Sequence, residues 1–381
     1  MVMKAGWKQR IKMGLKRKPS VDPQVKHLID WMYLQVSPFF RVYEVNYHAG
    51  SVYFYGMPRV SRKIIQESLT AQFASRGYNL AIESKLGEEV IAAIPFKQGK
   101  DRVWINVVLA IATFFTTMFA GASMFGADVI ADPISAFEGL PFTIAIMGVL
   151  GSHEMGHYLA ARRHGMQTSL PYFIPFPSII GTMGAVIKHK GMIPDRKSLF
   201  DVAVSGPLVG LVASVIVTII GLMQPPVEFS QAPGTLMIDL QMPPLFAFIQ
   251  WLMGSSGQTI HPVAFAGWVG MFVTLLNLLP SGQLDGGHAM RAMLGEKAKY
   301  ISSAMPVLLG LIAIYIGTVM GQNAGIWFFW AILLFLFAAA GHPRPMEDRN
   351  ELGGKRMLLG IVTFVLGLLC FTPVPFTIVT V

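Results

Sequence analysis

The chain is poor in charge. Only 13% of its 381 residues are Asp, Glu, Lys or Arg, about half the share of an average soluble domain. It is nearly without cysteine as well: Cys370 stands alone. A single thiol excludes an intrachain disulfide framework. Its apolar neighbours make it a small buried or lipid-facing residue, with no implication for catalysis. No long apolar segment follows the basic stretch MVMKAGWKQRIKMGLKRKP, so no cleavable signal peptide is expected. Residues 1–26 read as a basic arm, solvated on the cytoplasmic side. Trp7, Ile11 and Leu15, near helical spacing, leave a weak amphipathic membrane anchor as the alternative.

What is present is apolar surface. Hydrophobic residues make up 53% of the chain, and several runs approach or exceed the length that crosses a bilayer. The candidate spans are 103–125, 140–161, 202–222, 262–280, 301–320, 325–340 and 357–372. The segment LFAFIQWLMG, 245–254, is too short to span and reads as interfacial, with Trp251 at its surface. Residues 27–98 differ. FFRVYEVNYHAGSVYFYG suggests a hairpin turning at Ala49-Gly50. SRKIIQESLTAQFASRG has helical periodicity, with Ser61 as cap candidate and Gly77 as stop. Two more strands flank Gly87, and His48 beside the turn reads as an exposed residue without chemistry. The expected fold is a polytopic α-helical membrane protein of about seven transmembrane helices. It carries a small N-terminal α+β soluble domain at 27–98, and residues 301–381 supply additional transmembrane helices.

The placement of charge orders these spans. With the N-terminal domain in the cytoplasm, seven spans put 126–139, 223–261, 321–324 and 373–381 outside. Those segments contain no Lys or Arg; all 30 basic residues lie in 1–102, 162–197, 291–299 and 344–356. Asp128, Asp132, Glu138, Glu228 and Asp239 fall outside. This is the positive-inside pattern. The net charge of +9 is therefore a topology signal, with anionic lipid as partner of the cytoplasmic rim. No aromatic–basic pattern calls for nucleic acid.

One polar cluster interrupts the apolar sequence. GSHEMGHYLA, 151–160, follows PFTIAIMGVL and contains HExxH. On a helix, residues four apart share a face, so His153 and His157 can grip one metal ion while Glu154 turns toward its water. Two imidazoles with a carboxylate and one open position suit zinc. Zinc activates water and polarises a carbonyl; Glu154 takes the proton and returns it to the leaving amine. Ionisable residues in hydrocarbon are costly and usually functional. Gly151 and Gly156 suggest close helix packing, which is compatible with a metal.

A third ligand is required, and NLLPSGQLDGGHAMRAM, 277–293, offers Asp285 and His288. His157 and His153 precede Arg162 by five and nine residues, which is about 7–14 Å below the basic rim if helical. Asp285 precedes Arg291 by six, or about 9 Å. The depths agree. Zn²⁺, Asp285 and ionised Glu154 also sum to zero charge, which matters where the dielectric is low. Asp285 is therefore favoured, with His288 as the alternative. Pro280 opens the helix there, and Gly286-Gly287 permits close packing or a kink.

HEMGH at 153–157 and NLLPSGQLDG at 277–286 together resemble the paired motifs of the site-2 protease family of intramembrane zinc metalloproteases. The likeness covers about residues 103–300, the expected protease core. It implies zinc on His153, His157 and Asp285, with Glu154 as the catalytic glutamate. It also implies that Asn277 holds substrate or the reacting oxygen. GTMGAVIK, 181–188, is similar to the family's glycine-bearing hairpin, and SGPLVG, 205–210, to the small-residue entry of its next core helix. The hairpin edge can receive an unwound substrate strand; a packed amphipathic hairpin is the plainer alternative. His164, Lys188 and His189 read as rim residues. No PDZ-like insertion follows 222 and no tandem CBS-like domain is expected at the C-terminus. The arrangement of spans resembles archaeal and plant chloroplast members, and implies a multi-pass protein of a prokaryotic, archaeal cell membrane. The implied activity is hydrolysis of peptide bonds in or near the transmembrane helices of membrane-protein substrates. Two rivals stand beside it. A zinc transporter needs a polar path onward to the outer side, and the spans show none. An inactive chaperone-like member should lack a ligand or the base, and all four residues are present.

Overall fold

The computed structural model describes residues 23–85, 88–95, 102–190, 193–225, 227, 236–255, 259–341, 345 and 351–380. Most of the arm expected at 1–26 lies outside them; its last residues open a helix instead. The chain divides into two units, residues 1–100 and 101–381.

In the first unit, α1 (Pro23–Val36) leads to β1 (Phe40–His48) and β2 (Ser51–Pro58). Then come α2 (Arg62–Ser75), β3 (Tyr78–Lys85) and β4 (Glu88–Pro95). The strands form one antiparallel sheet in the order β1-β2-β4-β3. Ala49 and Gly50 both take positive φ, 47° and 84°, as a two-residue hairpin turn that matches strand twist requires. Gly77 ends α2 at φ 81°. Ser61 precedes α2 as expected, but its side chain makes no capping bond. Met32, Val36, Ile65, Leu69 and Phe73 from the helices pack on Phe40, Val52, Phe54, Leu80 and Ile91 from the sheet. Arg62 pairs with Glu89.

The second unit is a multi-pass membrane bundle. Its first helix is α3 (Val103–Met124), followed by a 3-10 turn (Pro133–Gly139) and α4 (Leu140–Arg163). Short strands follow: β5 (Gln167–Thr168), β6 (Tyr172–Pro175), β7 (Thr182–Val186) and β8 (His189–Lys190). Then come α5 (Arg196–Leu222), β9 (Leu236–Leu240), α6 (Pro244–Met253), α7 (Pro262–Asn277) and α8 (Asp285–Leu294). The unit closes with α9 (Ala298–Thr318), α10 (Gly325–Ala340), α11 (Gly354–Leu369) and β10 (Phe376–Thr380). Among the described residues, four segments are long and apolar enough to cross a membrane: Val103–Met124, Pro133–Arg163, Arg196–Leu222 and Asp285–Thr318. α6, α7 and α10 are shorter apolar helices. Trp251 is exposed on α6.

Polarity in this unit runs inward. On α3, Asn106, Thr113 and Thr117 are buried, while Val107, Val108, Ile111, Phe115 and Phe119 face outward. That suits a lipid surround, where backbone and side-chain polar groups must find partners inside the protein. Asn106 donates to the carbonyls of Leu170 and Pro171 at 2.8 and 3.0 Å. Thr116 donates to Gly181 O at 2.6 Å. The antiparallel β6–β7 hairpin is thus tied to α3 at both ends. α5 and α7 meet through small residues: Gly267 lies on Thr218 and Gly270 on Ser214, so closely that an added Cβ would overlap.

Helix boundaries differ from expectation for physical reasons, as two of them show. α5 begins at Arg196 rather than 202, because Asp195 caps it by accepting Ser198 N–H at 2.7 Å. SGPLVG therefore lies inside that helix and not at its entry. α7 ends at Asn277 rather than 280; the residues before Pro280 leave helical geometry.

Candidate active site

α4 carries the HExxH residues on one face. His153, Glu154 and His157 are all buried. A chain break in helical structure at 278–284 brings Asp285 in as the first residue of α8. Its Oδ2 lies 3.3 Å from His153 Nε2 and 3.1 Å from His157 Nε2, and the two Nε2 atoms are 3.2 Å apart. Among the described residues these three form the one group of side chains whose donor atoms can hold a metal ion. His288, the alternative third residue, lines the same cavity but does not join the group.

The triangle fits a tetrahedral ion. Ligand bonds of about 2.0–2.1 Å at tetrahedral angles put donor atoms about 3.3 Å apart, close to all three separations. Direct hydrogen bonding explains the triangle less well, since two imidazoles and a carboxylate must then share protons along three edges. The outer nitrogen of His157 is also engaged: Nδ1 lies 2.8 Å from Val202 O. Donation to that carbonyl leaves Nε2 as the lone-pair nitrogen facing the triangle. Sequence reasoning missed Val202 because a backbone acceptor carries no residue-type signal.

Glycine makes room for both rings. A Cβ on Gly206 would overlap the His157 imidazole, and one on Gly210 would come within 2.9 Å of His153 Nδ1. Gly156 in turn faces α5, where a Cβ would lie 2.6 Å from Ser205 O. The SGPLVG segment and the HExxH helix are therefore in backbone contact.

A cavity of 590 Å³ opens on the triangle. Glu154 lines it beside the three, with Ile187 on the same wall. Ala185, Val186 and Ile187 bring the β7 end of the hairpin to the same space. Asn277 stands at the end of α7 with Nδ2 3.5 Å from His153 Nε2. Met166, Ile193, Leu199 and Ala203 supply apolar wall, and Gln283 a further amide.

The three expected rim residues diverge. Lys188 is exposed, and His189 is exposed while lining the cavity. His164 is absorbed in a structural cluster: Nε2 lies 2.9 Å from Asp201 Oδ2, and Nδ1 3.2 Å from Ser198 Oγ. Arg356 of α11 completes it with two bonds to Asp201, 2.7 and 2.8 Å. Asp201 precedes Val202, so this cluster fixes the turn of α5 whose carbonyl holds His157.

Residues 141–318 match the profile of Peptidase family M50. The chain is similar to the "Probable zinc metalloprotease EGY2, chloroplastic" of Arabidopsis thaliana, 31% identical over 263 residues, 65% of this chain and 45% of that protein. It is also similar to EGY1 of the same plant, 29% identical over 249 residues, covering 62% and 43%. The "Probable zinc metallopeptidase EGY3, chloroplastic" of Arabidopsis thaliana is 27% identical over 284 residues, covering 70% and 47%. The chain thus spans less than half the length of these curated relatives. No solved structure matches. The matched segment contains α5, α7, α8, α9 and all but the first residue of α4, with both halves of the donor triangle, and over those residues, just under half of the chain, it is similar to Peptidase family M50.

Proposed function

We propose that the chain is a zinc-dependent endopeptidase that hydrolyses peptide bonds in or beside the transmembrane helices of other membrane proteins. The observation that carries this reading is the near-equilateral donor triangle of His153, His157 and Asp285, with Glu154 beside it in one cavity. The names of the relatives support zinc, and the donor set suits it. Zinc held there would supply Lewis-acid polarisation of a carbonyl and activation of water.

The chain's own residues do the rest. Neutral His153 and His157 with ionised Asp285 would hold the ion, and the Val202 carbonyl sets the His157 tautomer. Glu154 takes a proton from the attacking water and delivers it to the leaving amine. Asn277 offers an N–H to the oxygen on which charge develops. The β7 edge receives the substrate as an added strand, with Ala185 to Ile187 alongside it. A transmembrane helix already has its amides paired, so it must unwind before it can be cut; a strand edge compensates that loss.

We also propose seven spans, a soluble domain at 27–98 and a core at 103–300. The N-terminal domain and basic loops are on the cytoplasmic side, with anionic lipid against the rim. The relatives are named as chloroplastic, which shifts the membrane from an archaeal one toward that of an organelle. The test is cleavage of a transmembrane peptide by the full chain in reconstituted vesicles. Glu154→Gln should abolish cleavage and keep about one zinc per chain, the ligand count being untouched. Undiminished turnover in that variant would overturn the assignment.

A further inference from the structure

The loop that delivers Asp285 is held by helices that contribute nothing to the cavity. Ser302, on α9, is 2% exposed. Its Oγ accepts the Gly282 N–H at 2.7 Å and faces Ser281 Oγ at 3.5 Å. Ser281 is fully buried, with its hydroxyl 3.4 Å from Ser302 O and 3.4 Å from Leu334 O of α10. Gly282 takes φ 46° and is pressed so closely on Phe337 O of α10 that a Cβ would overlap it. Gly287, in the first turn of α8, rests on that same loop: its Cβ would lie 2.6 Å from Gly282 O. Contact therefore runs unbroken from Ser302 through Gly282 to the turn that begins with Asp285.

Hydroxyls inside helices usually return to the carbonyl one turn back. Thr274, Thr318 and Thr363 do so here, at 2.8, 2.7 and 2.8 Å. The Ser302 hydroxyl is turned to the loop instead. We propose that Ser302 is a positioning residue for Asp285, setting where its carboxylate meets the two imidazoles. The proposal rests on the reading of Asp285 as a metal ligand. Removing the hydroxyl leaves a buried N–H without its acceptor, and the loop must move to recover one.

The test uses the full chain in detergent with zinc, and with cobalt in its place as a spectroscopic probe. Ser302→Ala should weaken metal retention against a chelator about 10–100-fold, the range found when the support of a ligand is removed. It should also shift the cobalt absorption bands and lower kcat with little change in KM. Ser302→Thr keeps the oxygen and should restore the cobalt spectrum. Ser281→Ala removes only the longer contacts and should move it less, in the same direction. Thr363→Ala, an equally buried hydroxyl on α11, is the control for a merely structural loss: it should lower the melting temperature and leave the metal alone. A Ser302→Ala protein with the wild-type cobalt spectrum and chelator kinetics would overturn the proposal. So would a Thr363→Ala protein that loses metal equally. Wild-type chain that binds no stoichiometric metal would overturn the metalloprotease reading itself, and this inference with it.

Discussion

Asn277 is the last residue of α7, with its amide 3.5 Å from His153 in the donor triangle. It lies on the cavity wall. Replacing it with Ala should keep the zinc and lower kcat about 10²–10³-fold, the cost of one lost oxyanion donor. Single-turnover cleavage in vesicles reads this directly, and a variant with wild-type kcat would move the oxyanion role elsewhere. At this scale much of the site was legible. HExxH announces its geometry through the helical period, and Asp285 was favoured by depth and charge. The supports were not legible: the Val202 carbonyl acts through backbone and the Ser302 hydroxyl in a residue type common anywhere. Only the folded chain shows where they point.

Between elements, the decisive contact is α4 against α5. A methyl group on Gly206 would occupy the space of the His157 ring, so Gly206→Ala should displace the imidazole. Zinc stoichiometry should fall well below one per chain at micromolar free metal, and metal analysis after dialysis measures it. Gly148, on α4 with open space around it, is the comparison. Ala there should be silent or slightly stabilising, since Gly is the poorer helix former by about 1 kcal/mol. A Gly206→Ala protein with full zinc would show that α5 yields more than its packing suggests. Helix ends were the least legible feature at this scale. The last span was expected at 357–372, yet α11 starts at Gly354 and takes in Lys355 and Arg356. Hydropathy counts Arg356 as a boundary; its two bonds to Asp201 make it part of the helix packing.

For the whole molecule, the asymmetry of basic residues predicts sidedness. Ile130 is 87% exposed in a segment without Lys or Arg, and Lys297 lies in a basic loop. Cys370 is buried, so a Cys370→Ala chain makes a clean background. A single cysteine placed at 130 and one at 297 should react with a membrane-impermeant maleimide from opposite faces of sealed vesicles. Labelling of both from one face would refute the proposed order of spans. Composition made the multi-pass helical character readable before any contact was known. The β9–β10 ladder was not, though it joins Leu236–Leu240 to Phe376–Thr380. Pairing across so many residues is written in neither strand alone.

The ties from α3 to the hairpin carry a mechanical consequence. Asn106 grips the start of β6 and Thr116 the turn before β7, so that helix and that strand edge must travel as one body. Anything that pushes the helix aside in the bilayer drags the edge with it. In the proposed mechanism the position of α3 and the alignment of a substrate strand on the β7 edge therefore have a single adjustment between them.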